Sequence, residues 1–139
     1  MNRADLQQLA TMRIAEAQAL LAAGFPAGAY YLAGYAVECA IKSCIAKRVQ
    51  QYDFPPDKKT VDKIYQHDLE TLMRAADIWV EFESAKSSSS VLDDHWKVVK
   101  DWSESKRYDA TIATMKATSL IAAIMDPTDG VLIWLMQRW

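Results

Sequence analysis

The chain has 139 residues, of which 51% are hydrophobic and 24% charged, and its net charge is −2. This is the composition of one soluble globular domain, residues 1–139, able to bury roughly two-thirds of its unfolded surface without a disulfide or metal scaffold. The charge excludes a global basic field of the kind that advertises nucleic-acid binding, and only 4 Gly and 4 Pro exclude collagen-like, disordered and turn-rich sandwich classes.

Met1 to Asp5 lacks the apolar core of a secretory signal. A first helix is expected from about Asp5 to Ala23, with Leu6, Leu9, Ala10, Ala17, Leu20 and Leu21 on one stripe and Arg13 in its middle. Gly24 stops it and Pro26 starts the next, the usual placement of these two residue types. Ala17 to Val37 carries no charge and is long enough to span a bilayer. Gly24-Phe25-Pro26-Ala27-Gly28 interrupts that stretch, so two packed helices are expected and no membrane span.

The second helix, about Ala27 to Val49, carries three distinct faces. Ala29, Ala33, Ala36 and Ala40 form a small face that lets a neighbour approach closely. Tyr30, Val37, Ile41 and Cys44 form a larger apolar one, and Tyr31, Tyr35, Glu38 and Lys42 share a polar-aromatic strip about 60° wide. Such a helix belongs at the centre of a bundle, and its strip is the first candidate site. Cys39 and Cys44 point about 140° apart on it and cannot easily bridge, which suggests reduced thiols in a cytoplasmic protein. No other cysteine and no paired Cys/His spacing is present, so no metal or other cofactor is expected.

Gln50 to Lys59, with Pro55-Pro56, reads as a connector. Leu69, Leu72, Met73, Ala76, Trp79 and Val80 then follow the helical period, with His67-Asp68 at the start. Ser87 to Ser90 reads as a loop, with Ser90 capping a helix that buries Leu92, Trp96 and Val99 and carries Asp93 at the capping-box position. Asp101 to Ser105 breaks the pattern. Ala113, Ala117, Leu120, Ile121 and Ile124 mark another helix, ended by Pro127 and Gly130. Leu132, Leu135, Met136 and Trp139 lie on a last one. No segment alternates with period two, so the fold class is all-α, a bundle of five or six helices with short connections.

Glu38 and Lys42 stand at i, i+4, which is a weak helix salt bridge if the strip faces water. If the strip is half buried, Glu38 needs a cation, and Lys42, Arg107 or His67 could supply it, as a structural network or as a ligand site. Arg107-Tyr108 lies where an extended turn feeds a helix. Arg107 there either meets a phosphate or carboxylate, or closes the turn on carbonyls or Glu38. His67 reads as a capping or packing residue and His95 as partly buried packing. Of the five tryptophans, Trp134 and Trp139 are the ones expected at an interface.

Taken in order, these pieces resemble the HEPN domain (higher eukaryotes and prokaryotes nucleotide-binding domain). The matching residues are Ala19-Leu20-Leu21 with Gly24-Phe25-Pro26, Ala29-Tyr30, Gly34-Tyr35-Ala36-Val37-Glu38, Ala40-Ile41-Lys42, His67-Asp68-Leu69 with Leu72, Trp102-Ser103, Arg107-Tyr108 and Gly130 to Leu135. The resemblance implies an up-and-down bundle of four to five main helices plus a short C-terminal helix, commonly a homodimer. Family members occur beside nucleotidyltransferases and in toxin–antitoxin and defence systems. Many are metal-independent ribonucleases in which an Arg is followed four to six residues later by His. After Arg107 come Tyr108, Asp109, Ala110, Thr111, Ile112, Ala113, Thr114 and Met115, and no histidine follows His95. The resemblance therefore implies a non-catalytic module binding a nucleotide, RNA or a partner protein through Glu38, Lys42, His67, Arg107 and Tyr108. The alternative is a divergent ribonuclease using His67 or His95 with Arg107.

Overall fold

The computed structural model describes residues 1–52 and 58–139. Among these are eight α-helices, one 3₁₀ turn and no strand, an all-α helical bundle. Helix α1 (Arg3–Ala22) starts at Asn2, whose side chain accepts from the Asp5 amide while Asp5 bonds back to the Asn2 amide. It stops where Gly24 turns left-handed at φ 86°, and the Phe25 amide reaches back to the Leu20 carbonyl at 2.8 Å. This is the glycine C-cap in which the missing Cβ removes the steric penalty of positive φ. The turn also divides the uncharged stretch Ala17 to Val37, and no described helix is long and apolar enough to cross a membrane.

Helix α2 (Pro26–Tyr52) is the axis of the molecule, packing against α1 and against the later helices α4, α7 and α8 and the 3₁₀ turn defined below. Ala29, Ala33, Ala36 and Ala40 are fully buried, as are Tyr30, Val37 and Ile41, so both apolar faces meet neighbours. Both thiols are free and buried, and burial pushes Cys44 up to about 11. Helix α2 continues past the expected Val49, and α3 (Lys58–Ile64) begins inside the expected connector, with no buried residue of its own. Pro55-Pro56 lies outside the described residues.

The run from Leu69 to Val80 is two helices. Helix α4 (Leu69–Ala75) is capped by Asp68 and closes in a left-handed turn at Asp77, φ 61°, with the Ile78 amide on the Met73 carbonyl. Helix α5 (Trp79–Ser88) then sets off in a new direction. Both pieces keep the apolar period, so periodicity alone conceals the break. The serine run is helix end and helix start: Ser87 and Ser88 finish α5 and Ser90 begins α6 (Ser90–Val99). The cap is Ser89, whose hydroxyl accepts from the Leu92 amide.

The 3₁₀ turn Glu104–Tyr108, α7 (Thr114–Met125) and α8 (Val131–Met136) complete the fold. Five helices of ten or more residues and a short C-terminal one correspond to the expected bundle, with α3 and α4 added. Phe82 centres an aromatic cluster, edge-on to Trp96 at 5.0 Å and to Trp134 at 4.8 Å, with Trp79 beside it. Trp134, expected at an interface, is instead covered by its own chain, because α8 packs on α2, α7 and α6 and sets Trp134 against Phe82. Trp139 packs partly buried against the same core.

Candidate functional site

The polar-aromatic strip of α2 lies at the surface of the bundle, but Glu38 within it is 1% exposed. A carboxylate stripped of water at that depth must be met by cations or donors. Lys42 Nζ, one helical turn on, approaches Glu38 Oε1 at 2.7 Å. His67 Nδ1 meets the same carboxylate at 3.0 and 3.2 Å from its two oxygens. His67 arrives there because it sits just before Asp68, the cap of α4, and α4 packs on α2.

The other edge of the His67 ring faces a second carboxylate, with Nε2 3.1 Å from Glu104 Oε2. Glu104 in turn holds Arg107 Nη2 at 2.9 Å across one turn of 3₁₀ helix. The result is a chain of alternating basic and acidic side chains, Lys42, Glu38, His67, Glu104 and Arg107, with Glu38 its buried member. At the outer end the Arg107 guanidinium lies 4.8 Å from the centre of the Tyr108 ring, and Tyr108 is 77% exposed. A hydrogen bond to Tyr108 raises Arg107 above its ordinary value, with the Glu104 charge adding to the effect.

Aromatic packing fixes the 3₁₀ turn against α2. Tyr31 and Tyr35 stack with their rings 3° from parallel, and Tyr31 stacks on Trp102 at 6.1 Å. Trp102 lies over Gly34, where any side chain would collide with the indole. Its Nε1 is buried and has no hydrogen-bond partner among the described residues. Burial raises the Tyr35 phenol, and Cys39, Glu38 and Tyr31 push it in the same direction.

All five expected site residues therefore meet in one region, with one change in the pairing. Arg107 does not reach Glu38; it pairs with Glu104, because the 3₁₀ turn places the two three residues apart on one edge. Sequence reasoning passed over Glu104. Its i, i+3 spacing to Arg107 is visible in the chain, whereas its contact with His67 is made only by folding. His95 stands outside the network. Expected as partly buried packing, it is partly buried and also hydrogen-bonded, with Nε2 2.9 Å from Asp126 Oδ2 at the end of α7. That bond, with the amides of Thr128 and Asp129, lowers Asp126 to about 2. Among the described residues no group of three or more His, Cys, Asp or Glu side chains is placed to hold a metal ion. Glu38 and Glu104 lie on opposite edges of the His67 ring and do not converge on one point.

No protein-family model, curated protein or solved structure matches this chain. Fold and site define it by class: an all-α bundle protein with a carboxylate–histidine–carboxylate chain between its central helix and a 3₁₀ turn.

Proposed function

We propose that the chain is a non-catalytic, HEPN-like helical module that binds a nucleotide at the Arg107–Tyr108 edge. One observation carries this reading: a half-exposed guanidinium held by Glu104 beside a largely exposed tyrosine ring. Glu104 engages one Nη of Arg107, and a guanidinium has five N–H donors, so donors remain for a phosphate. Tyr108 offers a flat face on which a base stacks. Behind them, Glu38, Lys42 and His67 keep the edge in place. Both ring nitrogens of His67 are engaged by carboxylates of its own chain, which fits a positioning role for it. On this reading the chain works as a homodimer in the cytoplasm, beside a nucleotidyltransferase partner in a toxin–antitoxin or defence setting.

The test is thermal denaturation of the purified protein against a panel of nucleoside mono- and triphosphates and a short RNA. A dose-dependent rise for nucleotides that disappears in Arg107→Ala, with the unliganded variant melting near wild type, supports the module. If no nucleotide produces a rise, or Arg107→Ala retains it in full, the reading fails. A rise with RNA alone moves the ligand to RNA.

A second reading, a divergent ribonuclease, draws on Glu104 holding His67 and Arg107 on the same carboxylate. It requires RNA cleavage that His67→Gln abolishes. His95, the other histidine of that reading, is bonded to Asp126 and lies outside the Glu104 network.

A further inference from the structure

Three elements end around one cavity of about 290 Å³: the last turns of α2, the junction of α4 and α5, and the end of α8. Lys47, Arg48 and Arg138 stand in its wall with Gln137, Asp77 and the Cys44 thiol. The cations are anchored mainly by neutral groups. Lys47 Nζ donates to the Arg138 carbonyl at 3.3 Å and Arg48 Nη1 to the Ala75 carbonyl at 3.2 Å. Arg138 Nη1 donates to the Trp134 carbonyl at 2.7 Å and lies 3.5 Å from Gln137 Oε1.

Carbonyl bonds fix a charge in place without cancelling it. Two carboxylates face these cations: Asp77, also in the wall, is 3.9 Å from Arg48 with its side chain 78% exposed, and Glu81 holds Arg138 Nη2 at 2.7 Å with its side chain 57% exposed. Arg138 Nε is buried and has no hydrogen-bond partner among the described residues. Arg3 is near enough to act electrostatically on Cys44, along with Lys47 and Arg138. The thiol itself, pushed up to about 11 by burial, carries no charge at neutral pH. A chain of net charge −2 thus gathers an excess of positive charge around one concave site.

We propose that this cavity binds a phosphate group, free or as a small phosphomonoester, held by Lys47, Arg48 and Arg138 with the Gln137 amide assisting. The Arg48 guanidinium, whose nearest carboxylate is 3.9 Å away, supplies forked donors that match phosphate oxygens, while Arg138, already bonded to Trp134 and Glu81, and Lys47 add positive charge. Counting Asp77 and Glu81 against the three cations still leaves a positive charge, which an anion answers. The site shares no residue with the Arg107–Tyr108 edge, so it stands whether or not that edge binds a nucleotide.

Thermal denaturation at neutral pH and constant ionic strength, titrated with inorganic phosphate and in parallel with ethyl phosphate, tests this. Salt exclusion by phosphate stabilises most proteins and gives a drift common to wild type and variants, so the readout is a saturable component above that drift. Wild type is expected to saturate with at least one of the two probes, and the probe with the lower midpoint identifies the source. Gln137→Glu adds a carboxylate to the wall while still accepting from Arg138, and Lys47→Ala removes one cation. Each is expected to raise the midpoint roughly tenfold, while Arg107→Ala leaves it unchanged. Drift without saturation in wild type overturns the proposal. So do variant curves superimposing on wild type, and so does loss of saturation in Arg107→Ala alone, which assigns phosphate to the other edge.

Discussion

The indole of Trp102 occupies the space in which a side chain at position 34 would begin, 2.2 Å from the place of a Cβ. Trp102 directly precedes the turn bearing Glu104 and Arg107 and is stacked on Tyr31 of α2. The absent side chain of one α2 residue therefore sets how closely the outer half of the site approaches the inner half.

Gly34→Ala is expected to destabilise the protein by about 2 kcal/mol. Alanine gains roughly 1 kcal/mol of helix propensity, but the ring must retreat by roughly 1.5 Å to reach ordinary carbon–carbon contact, at the cost typical of overpacking. Urea denaturation gives the magnitude and tryptophan fluorescence the displacement. A variant as stable as wild type would show that the contact is not limiting.

Glu38 and Lys42 are unequal partners, since Glu38 is 1% exposed and the Lys42 side chain 21%. Lys42→Met strips one counter-charge from a carboxylate that has no access to water, whereas Glu38→Gln releases a lysine and a half-exposed His67 that do. Removing one member of a buried pair costs most when the charge left behind stays buried. Lys42→Met is expected to cost about 2–4 kcal/mol and Glu38→Gln about 1–2 kcal/mol. Equilibrium unfolding of the two variants side by side checks the order, and the reverse order would place the burial wrongly.

Asp126 has a native value of about 2 against an ordinary 3.8, first because His95 bonds to it and then because two amides do. A depressed carboxylate contributes stability that is fully present above its unfolded value and is lost as pH falls through the folded one. Wild type is therefore expected to lose stability relative to Asp126→Asn between about pH 4 and pH 2. Urea midpoints measured across that range decide it. A pH-independent difference would mean that the charge of Asp126 does no work.

Asp77 adopts φ 61° where helix ends favour glycine. Its ion pair with Arg48 is long, 3.9 Å, and both side chains are exposed, so little is lost with it. Asp77→Gly is expected to raise stability by about 0.5–1 kcal/mol, read as a higher melting temperature. A decrease would assign Asp77 a structural role beyond its backbone conformation.

Much of this was legible in the chain. The apolar periods and Gly24 with Pro26 are local signals, acting within a turn or two of backbone, whereas the caps proved to be Asp68 and Ser89 where His67 and Ser90 were expected. The local signals located the long helices and the all-α class. The strip Tyr31, Tyr35, Glu38 and Lys42 was visible for the same reason, because helical geometry alone puts those four on one side. Where local signals compete, the reading failed. Asp77 turns left-handed without a glycine to announce it, and the serine run served as helix end and start, where its composition suggested a loop.

The sequence by itself determined which residues share a face of each helix, since 100° per residue requires nothing beyond the backbone. Only the tertiary structure decided which faces meet. It brought His67 to Glu38 across 29 positions, took Arg107 away from Glu38 and gave it to Glu104, and covered Trp134 with its own chain. Those pairings depend on packing between helices, where shape and the need of each buried charge for a partner choose among contacts that the local code leaves equal.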